Sequence, residues 1–230
     1  MNRLTFLFSS IAMLSLSSFK EKKPSKLFPT IASYLQSAEK DFKQISKERK
    51  AKLKEIAAYL QPKIKEGKTA NLVFICTHNS RRSHMGQLWA YAAAEYYGIK
   101  GVSNFSGGTE NTAFNERAIN ALVKAGFEIV KVTEGTNPNY AVKYAANEPV
   151  VSAFSKVYKD APNPTSDFAA IMTCSQADEA CPIVMGASAR FAIPYEDPKK
   201  ADGLPNETEV YDERCKQIAT EVLYIFSLVK

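Results

Sequence analysis

The sequence predicts an α/β fold in three layers, with a central parallel sheet of about four strands and a long helix before it. From residue 71 onward, short apolar runs with strand character alternate with segments of helical periodicity. The composition, 45% hydrophobic and 23% charged, is typical of a globular protein, and 230 residues suffice for one domain with a full core. We therefore predict a domain over residues 71–230, a helical extension over 20–70 and a signal peptide over 1–19.

The first residues have the layout of a secretory signal peptide. A basic start at Arg3 precedes an apolar stretch from Leu4 to Leu16, and the small residues Ser17 and Ser18 follow. This layout predicts a periplasmic or secreted protein. The alternative is an uncleaved helix that stays buried or interfacial, on a cytoplasmic protein.

The extension has the pattern of one long amphipathic helix. Apolar residues recur at helical steps from Ile31 to Leu60, with lysines and glutamates between them. We expect the helix to begin near Pro29 and to end around Pro62, and residues 65–70 to form a linker. We expect this helix to pack on the domain behind it. The alternative is a helix that binds a partner or a membrane surface.

The domain itself divides into strands and helices by the same criteria. Predicted strands cover residues 72–75, 102–106, 127–132, 168–174 and 190–195. Predicted helices cover residues 83–97, 113–126 and 206–229. Residues 133–166 are predicted to form a loop-rich insertion that contains a hairpin.

Chemically active side chains recur where the predicted strands end. Cys76, Ser106, Cys174 and Asp197 all fall at or just beyond such ends. Ligands of parallel α/β sheets bind at the carboxyl ends of the strands. The sequence therefore predicts a site at this edge.

Charge and cysteine usage narrow the function classes. The net charge of +6 fits attraction to anions, but the chain has no dense basic tract that would indicate nucleic-acid binding. The four cysteines are too few for a disulfide framework in a domain of this size. His78 and His84 are the only histidines, and nothing has the spacing of a zinc site, so no metal is expected.

The stretch "CTHNSRRS" joins a buried strand to a helix. The backbone N–H groups of residues 77–81 can curl into a nest for a tetrahedral oxyanion, and Arg82 can bind two of its oxygens. The helix dipole and Arg82 favour a thiolate at Cys76, and Ser83 is placed to donate to the sulfur. Asn79 suits a bond to the loop backbone.

We therefore predict a nucleophile at Cys76 in an oxyanion-binding loop. The competing interpretation is a buried cysteine before an ordinary turn, with solvated arginines. The predicted substrate-binding residues are Thr77, His78, Asn79, Ser80, Arg81 and Ser83.

At these residues the chain resembles the low-molecular-weight protein tyrosine phosphatase superfamily, and most closely its thioredoxin-coupled arsenate reductases. "CTHNSRRS" carries the family's Cys-x5-Arg-Ser, and "FSGGTE" is similar to the segment after the family's second strand. "IMTCSQADEACP" is similar to the redox segment of the reductases, and "YEDP" to the loop that bears the general acid. The resemblance runs from Asn71 to the C-terminal helix, interrupted by the insertion, and implies the low-molecular-weight phosphatase fold.

The resemblance implies roles for the remaining candidates. Asp197 would be the general acid and base, with Glu196 as a lesser rival. In arsenate reduction, Cys76, Cys174 and Cys181 would form a relay of thiols, with no bound cofactor and with thioredoxin or another thiol as electron donor. Cys215 on the last helix is expected to be a packing residue.

A disulfide between Cys174 and Cys181 sets a geometric condition. Residues seven apart in an intact helix are about 10 Å distant, beyond the limit of roughly 7 Å for a disulfide. The relay therefore predicts that residues 175–180 loop or unwind.

Arsenate reduction is the first functional prediction, and two alternatives stay open. One is a phosphomonoesterase, such as a protein tyrosine phosphatase, that uses Cys76, Arg82 and Asp197. The other is a non-catalytic envelope module that binds oxyanions or partners. Two positions depart from the family: Arg81 stands where reductases often have a cysteine, and Lys199 where tyrosine phosphatases commonly have an aromatic residue. The expected ligand is arsenate, phosphate or phosphotyrosine, and the expected state is a monomer.

Overall fold

The computed structural model describes residues 26–181 and 183–230. The predicted signal peptide lies outside these residues, so its cleavage stays a prediction. The helices are α1 (Pro29–Lys40), α2 (Lys47–Lys65), α3 (Arg82–Tyr97), α4 (Glu116–Lys124), α5 (Ser175–Ala180) and α6 (Glu207–Ser227). The strands are β1 (Ala70–Cys76), β2 (Val102–Gly108), β3 (Glu128–Lys131), β4 (Tyr140–Lys143), β5 (Val151–Ala153), β6 (Phe168–Met172) and β7 (Ala187–Ala192). None of the described helices has the length and apolar character that a membrane span needs.

Four strands form the central sheet in the order β2-β1-β6-β7. Every neighbouring pair in this sheet is parallel, so all four carboxyl ends lie at the same edge. The predicted α/β class with about four parallel strands is confirmed. Cys76 is the last residue of β1, and Cys174 follows β6 by two residues, so both lie at this edge.

The sheet separates two apolar cores. Leu72 and Phe74 of β1 point into the larger core, which α3, α6 and the N-terminal helices complete. The alternate residues Val73 and Ile75 belong to a smaller core, to which Ala177 of α5 also contributes. Helices therefore cover both faces of the sheet.

The predicted single helix from 31 to 60 is wrong, because the chain forms two helices there. A short 3-10 turn follows α1, Ile45 is extended (φ −67°, ψ 124°), and α2 begins after Ser46. Ser46 ends the break because its Oγ accepts a hydrogen bond from the N–H of Arg49 at 3.1 Å. Apolar residues of both helices are buried in the larger core, as expected for an extension packed on the domain.

The segment predicted as a strand at 127–132 does not join the central sheet. It forms β3, which pairs antiparallel with β4, and β4 pairs antiparallel with β5. The predicted hairpin in the insertion is therefore present, and it extends to a separate three-stranded sheet.

The segment predicted to loop or unwind, residues 175–180, is helical and forms α5. Cys174 caps its N-terminus, because the sulfur accepts a hydrogen bond from the N–H of Ala177 at 3.4 Å. Both Cys174 and Cys181 are free thiols in this conformation.

Candidate active site

The loop between β1 and α3 is held in a tight curve by Asn79. The φ of Asn79 is 43°, in the left-handed region that few residues other than glycine adopt. Its Nδ2 donates to Ser83 Oγ at 2.8 Å, and its Oδ1 accepts from the backbone N–H of Lys156 at 3.0 Å. The amide therefore ties the loop to α3 on one side and to the insertion on the other.

The Cys76 sulfur lies 3.1 Å from Ser83 Oγ, within hydrogen-bond distance, and both residues are buried. Ser83 Oγ already accepts a hydrogen bond from the Asn79 amide, so the Ser83 hydrogen is available to the sulfur. A donor at this distance stabilises a thiolate more than a thiol.

The five backbone N–H groups from Thr77 to Arg81 donate no hydrogen bond to any part of the chain that the structure describes. They lie between a strand end and the N-terminus of α3, a helix of 16 residues. The positive end of the helix dipole adds to the attraction that unpaired N–H groups have for an anion. The loop therefore has five unpaired N–H groups among the described residues, and their binding of an oxyanion stays a prediction.

Arg82 connects the loop to the predicted general acid. Its Nη1 donates to the backbone oxygen of Tyr195 at 2.9 Å, and its Nη2 donates to Asp197 Oδ2 at 2.6 Å. Its Nε is buried and has no hydrogen-bond partner among the described residues. Since a buried guanidinium N–H is costly to leave unpaired, this nitrogen is available to donate to a bound anion.

Asp197 is the carboxylate that reaches the loop, and its rival does not. Asp197 Oδ1 also accepts the N–H of Lys199 at 3.1 Å, which fixes the carboxylate at the start of a 3-10 turn. Glu196 is largely exposed and lies nearest to Lys200 (3.6 Å) and Arg214 (4.0 Å). The geometry therefore favours Asp197 over Glu196.

The side chain of Arg81, which was predicted to bind substrate, is paired with other residues of the protein. Its Nε donates to Tyr211 Oη at 2.8 Å, and its Nη2 lies 3.4 Å from Asp202 Oδ2. The guanidinium is thus committed to an ion pair with the segment before α6. Arg81 contributes only its backbone N–H to the loop.

The other loop side chains also have partners within the protein. Ser80 Oγ donates to the backbone oxygen of Ala113 at 2.7 Å. His78 is half-exposed, and its Nε2 lies 3.0 Å from Glu110 Oε1. In Thr77, Oγ1 lies 3.4 Å from the Cys174 sulfur. These side chains support the loop, so an anion would meet its backbone.

The three predicted relay cysteines share the smaller core. Cys76 and Cys174 are buried members of it, and Cys181 packs against it. Cys181 stands at the far end of α5, where its backbone oxygen accepts from Arg190 Nε at 3.2 Å. Cys215 lies in the other core, where Trp89 Nε1 donates to its sulfur at 3.3 Å and burial raises the pKa of the thiol to about 12.

Sequence reasoning missed two residues of the insertion that support the loop. Ser155 Oγ donates to the backbone oxygen of His78 at 2.8 Å. Lys156 is buried, and this burial lowers the pKa of its ammonium to about 8. The sequence predicted a loop-rich insertion. No local pattern in the insertion indicates that it contacts a segment 77 residues earlier.

Gly108 explains how β2 and the loop come so close. A Cβ at this position would lie 2.6 Å from the backbone oxygen of Thr77 and 2.8 Å from the backbone nitrogen of Asn79. Both neighbours are backbone atoms of the loop, so only glycine fits. The nearby Ser106 Oγ lies 3.2 Å from His84 Nδ1, and burial lowers the pKa of this histidine.

No protein-family model matches the sequence, and no curated protein matches it either. Solved structures do align with the fold. A low-molecular-weight protein tyrosine phosphatase from T. tengcongensis aligns at a TM-score of 0.47 with 17% identity, over 69% of this chain and 99% of the other. A YwlE mutant from Bacillus subtilis aligns at 0.47 with 13% identity, over 69% and 97%. The YwlE arginine phosphatase with a phosphorylated active-site serine aligns at 0.45 with 14% identity, over 68% and 93%.

Proposed function

We propose that this protein is a cysteine-dependent phosphomonoesterase of the low-molecular-weight phosphatase type. The contact between Asp197 Oδ2 and Arg82 Nη2, at 2.6 Å, carries the proposal. It places a carboxylate beside the arginine of an anion-binding loop that also holds a buried thiol. A nucleophile, an anion site and a proton donor are the three parts that phosphate-ester hydrolysis through a cysteinyl phosphate requires.

In the first step, the Cys76 thiolate attacks the phosphorus of the monoester. The sulfur–phosphorus bond forms as the bond to the leaving oxygen breaks, and Asp197 gives that oxygen its proton. Arg82 and the N–H groups of the loop neutralise the charge on the remaining phosphoryl oxygens.

In the second step, water releases the enzyme. Asp197, now a carboxylate, takes a proton from a water molecule that attacks the phosphorus, and the sulfur leaves as a thiolate. Inorganic phosphate departs, and Asp197 is protonated for the next cycle. No external reductant is required.

Arsenate reduction is the second candidate, and the distance of 3.4 Å between Thr77 Oγ1 and the Cys174 sulfur favours it. Cys76 would attack arsenate and release water, and Cys174 would attack the Cys76 sulfur, so that arsenite leaves with two electrons. Cys181 would then attack the Cys76–Cys174 disulfide at Cys174 and regenerate Cys76. A thiol donor, such as thioredoxin, would reduce the Cys174–Cys181 disulfide.

We favour hydrolysis over arsenate reduction because it requires a smaller conformational change. Asp197 already contacts the loop arginine. The relay requires α5 to unwind, since Cys174 and Cys181 stand at opposite ends of this helix and residues seven apart in a helix are about 10 Å distant.

The experiment that tests the proposal measures hydrolysis of aryl phosphates by the wild type, by Cys76→Ser and by Asp197→Asn. We expect no turnover from Cys76→Ser. We expect Asp197→Asn to lose about 10²- to 10⁴-fold in kcat, the range attributed to general acid–base catalysis. Retained turnover in Cys76→Ser would contradict the nucleophile. Arsenate turnover with a thiol donor, in a protein that does not hydrolyse aryl phosphates, would favour the second candidate.

We further propose a periplasmic or secreted location, on the layout of the first residues. N-terminal sequencing of the protein purified from its source tests this. A chain that begins near residue 20 would agree with export, and one that begins at Met1 would contradict it.

A further inference from the structure

We infer that Arg49, in the N-terminal helical extension, positions the segment that carries the proposed general acid Asp197. This inference rests on the proposed function and adds a positioning residue from outside the α/β domain. No feature of the sequence connected this extension with the candidate active site.

Arg49 joins α2 to two other parts of the molecule. Its Nε donates to Glu221 Oε2 of α6 at 2.8 Å, and its Nη2 donates to the backbone oxygen of Ile193 at 3.1 Å. Its guanidinium carbon lies 4.8 Å from the centre of the Tyr195 ring, within the range of a cation–π contact. The side chains of Arg49 and Glu221 are only 17% and 6% exposed, so water screens this pair weakly.

Tyr195 is held from two sides. Arg49 contacts its ring, and Arg82 of the loop donates to its backbone oxygen at 2.9 Å. The Tyr195 side chain is buried, and its N–H donates to the backbone oxygen of Thr173 at 3.0 Å. Asp197 follows Tyr195 by two residues, so the position of Tyr195 limits where the Asp197 carboxylate can lie.

The contacts suit arginine and no other residue. One guanidinium meets a carboxylate, a backbone oxygen and an aromatic face at once, and it does so with donors in a fixed plane. Lysine could meet one of these partners at a time. Without Arg49, the buried carboxylate of Glu221 would lose its ion pair, and the oxygen of Ile193 would lose its donor.

A second tether of α2 provides a matched control. Lys63 Nζ contacts Asp167 Oδ1 at 2.7 Å, so it joins the same helix to the residue just before β6. This ion pair does not involve the segment that carries Asp197. Lys63→Met therefore removes a cation and an ion pair from α2 without touching the proposed route.

The test compares Arg49→Met and Lys63→Met on aryl phosphates whose leaving groups differ in basicity. If Arg49 positions the acid, Arg49→Met should lose about 10-fold or more in kcat on phenyl phosphate and about 2-fold or less on a dinitrophenyl phosphate, whose leaving oxygen needs no proton. Lys63→Met should match the wild type on both substrates. In Asp197→Asn, the added Arg49→Met substitution should have no further effect on phenyl phosphate.

An equal loss on both substrates, or no loss, would overturn the inference. If Arg49→Met does not fold, Arg49→Lys gives the same comparison, with a smaller loss of the same selectivity expected. If the wild type hydrolyses no aryl phosphate, the proposed function fails, and a crystal structure of the Arg49→Met or Arg49→Lys variant decides the positioning role. Separation of Asp197 from Arg82 would support it, and an unchanged contact of 2.6 Å would overturn it.

Discussion

The Cys76 sulfur and the Ser83 hydroxyl lie 3.1 Å apart, at the junction between β1 and α3. Asn79 Nδ2 donates to the same hydroxyl, and the Ser83 hydrogen remains available to a thiolate at Cys76. The loop thereby places a hydroxyl group within hydrogen-bond distance of the thiol.

Ser83→Ala should slow the alkylation of Cys76 by iodoacetamide at neutral pH. A hydrogen bond to a charged group contributes about 1.5–3 kcal/mol, so its loss should disfavour the thiolate form and slow alkylation about 10- to 100-fold. Mass spectrometry of the labelled peptide measures the rate at Cys76 alone. The control is Ser188→Ala, which removes a hydroxyl far from Cys76 in sequence. The Ser188 hydroxyl is hydrogen-bonded to Tyr59 and to the backbone oxygen of Phe168. An unchanged rate in Ser83→Ala would contradict the assigned bond.

Asn79→Ala should destabilise the protein more than Asn79→Gly does. Both variants lose the two side-chain hydrogen bonds. Only alanine also has to adopt a φ of 43°, which costs about 1–2 kcal/mol more than it costs glycine. The free energy of unfolding in urea measures the difference. Equal stability of the two variants would mean that the loop relaxes out of the left-handed conformation.

Lys156 should make stability depend on pH in the alkaline range. Burial lowers the pKa of this lysine from 10.5 to about 8. Between these values the unfolded chain binds more protons at this site than the folded chain, so stability rises with pH, by about 3 kcal/mol over the window. Below pH 8 the full cost of the buried charge is present.

The measurement is the unfolding free energy of the wild type minus that of Lys156→Met at each pH. We expect this difference to increase from pH 8 to pH 10.5, because Lys156→Met lacks the titrating group. Lys159→Met, at an exposed position of the same segment, is the matched control. A flat difference for Lys156→Met would contradict the lowered pKa.

Cys174 and Cys181 should decide between the two proposed reactions. If the relay operates, Cys174→Ala abolishes arsenate reduction, and Cys181→Ala stops after one turnover with a bond between Cys76 and Cys174. Thiol mapping by mass spectrometry identifies the bond. Cys215→Ala, in the opposite core, is the control. Arsenate reduction that persists in Cys174→Ala would exclude the relay.

The sequence predicted what depends on local pattern. Alternating runs of strand and helix character predicted all four strands of the parallel sheet, because burial on both faces leaves a short apolar run such as "NLVFIC". The loop was recognisable because a cysteine, polar loop residues and an arginine occupy eight consecutive residues between a strand and a helix. The hairpin in the insertion followed from turn residues between two β-prone runs.

The local sequence pattern predicted neither the break between α1 and α2 nor the sheet that β3 joins. The apolar periodicity continues across the break near Ile45, because α1 and α2 both pack on the same core, and only the cap at Ser46 marked the interruption. Residues 127–132 had strand character, but pairing partners decide which sheet a strand joins. Those partners lie in the insertion.

What the sequence determined by itself is the identity and spacing of the reactive groups along short stretches of chain. Tertiary structure alone decided that Arg81 turns to Asp202, that Lys156 supports Asn79, and that Arg49 reaches the segment before Asp197. Each of these contacts joins residues far apart in sequence. Their energies depend on burial and on the direction of single hydrogen bonds. Both arise when helices pack on the two sides of a sheet, and neither can be read from a local sequence pattern.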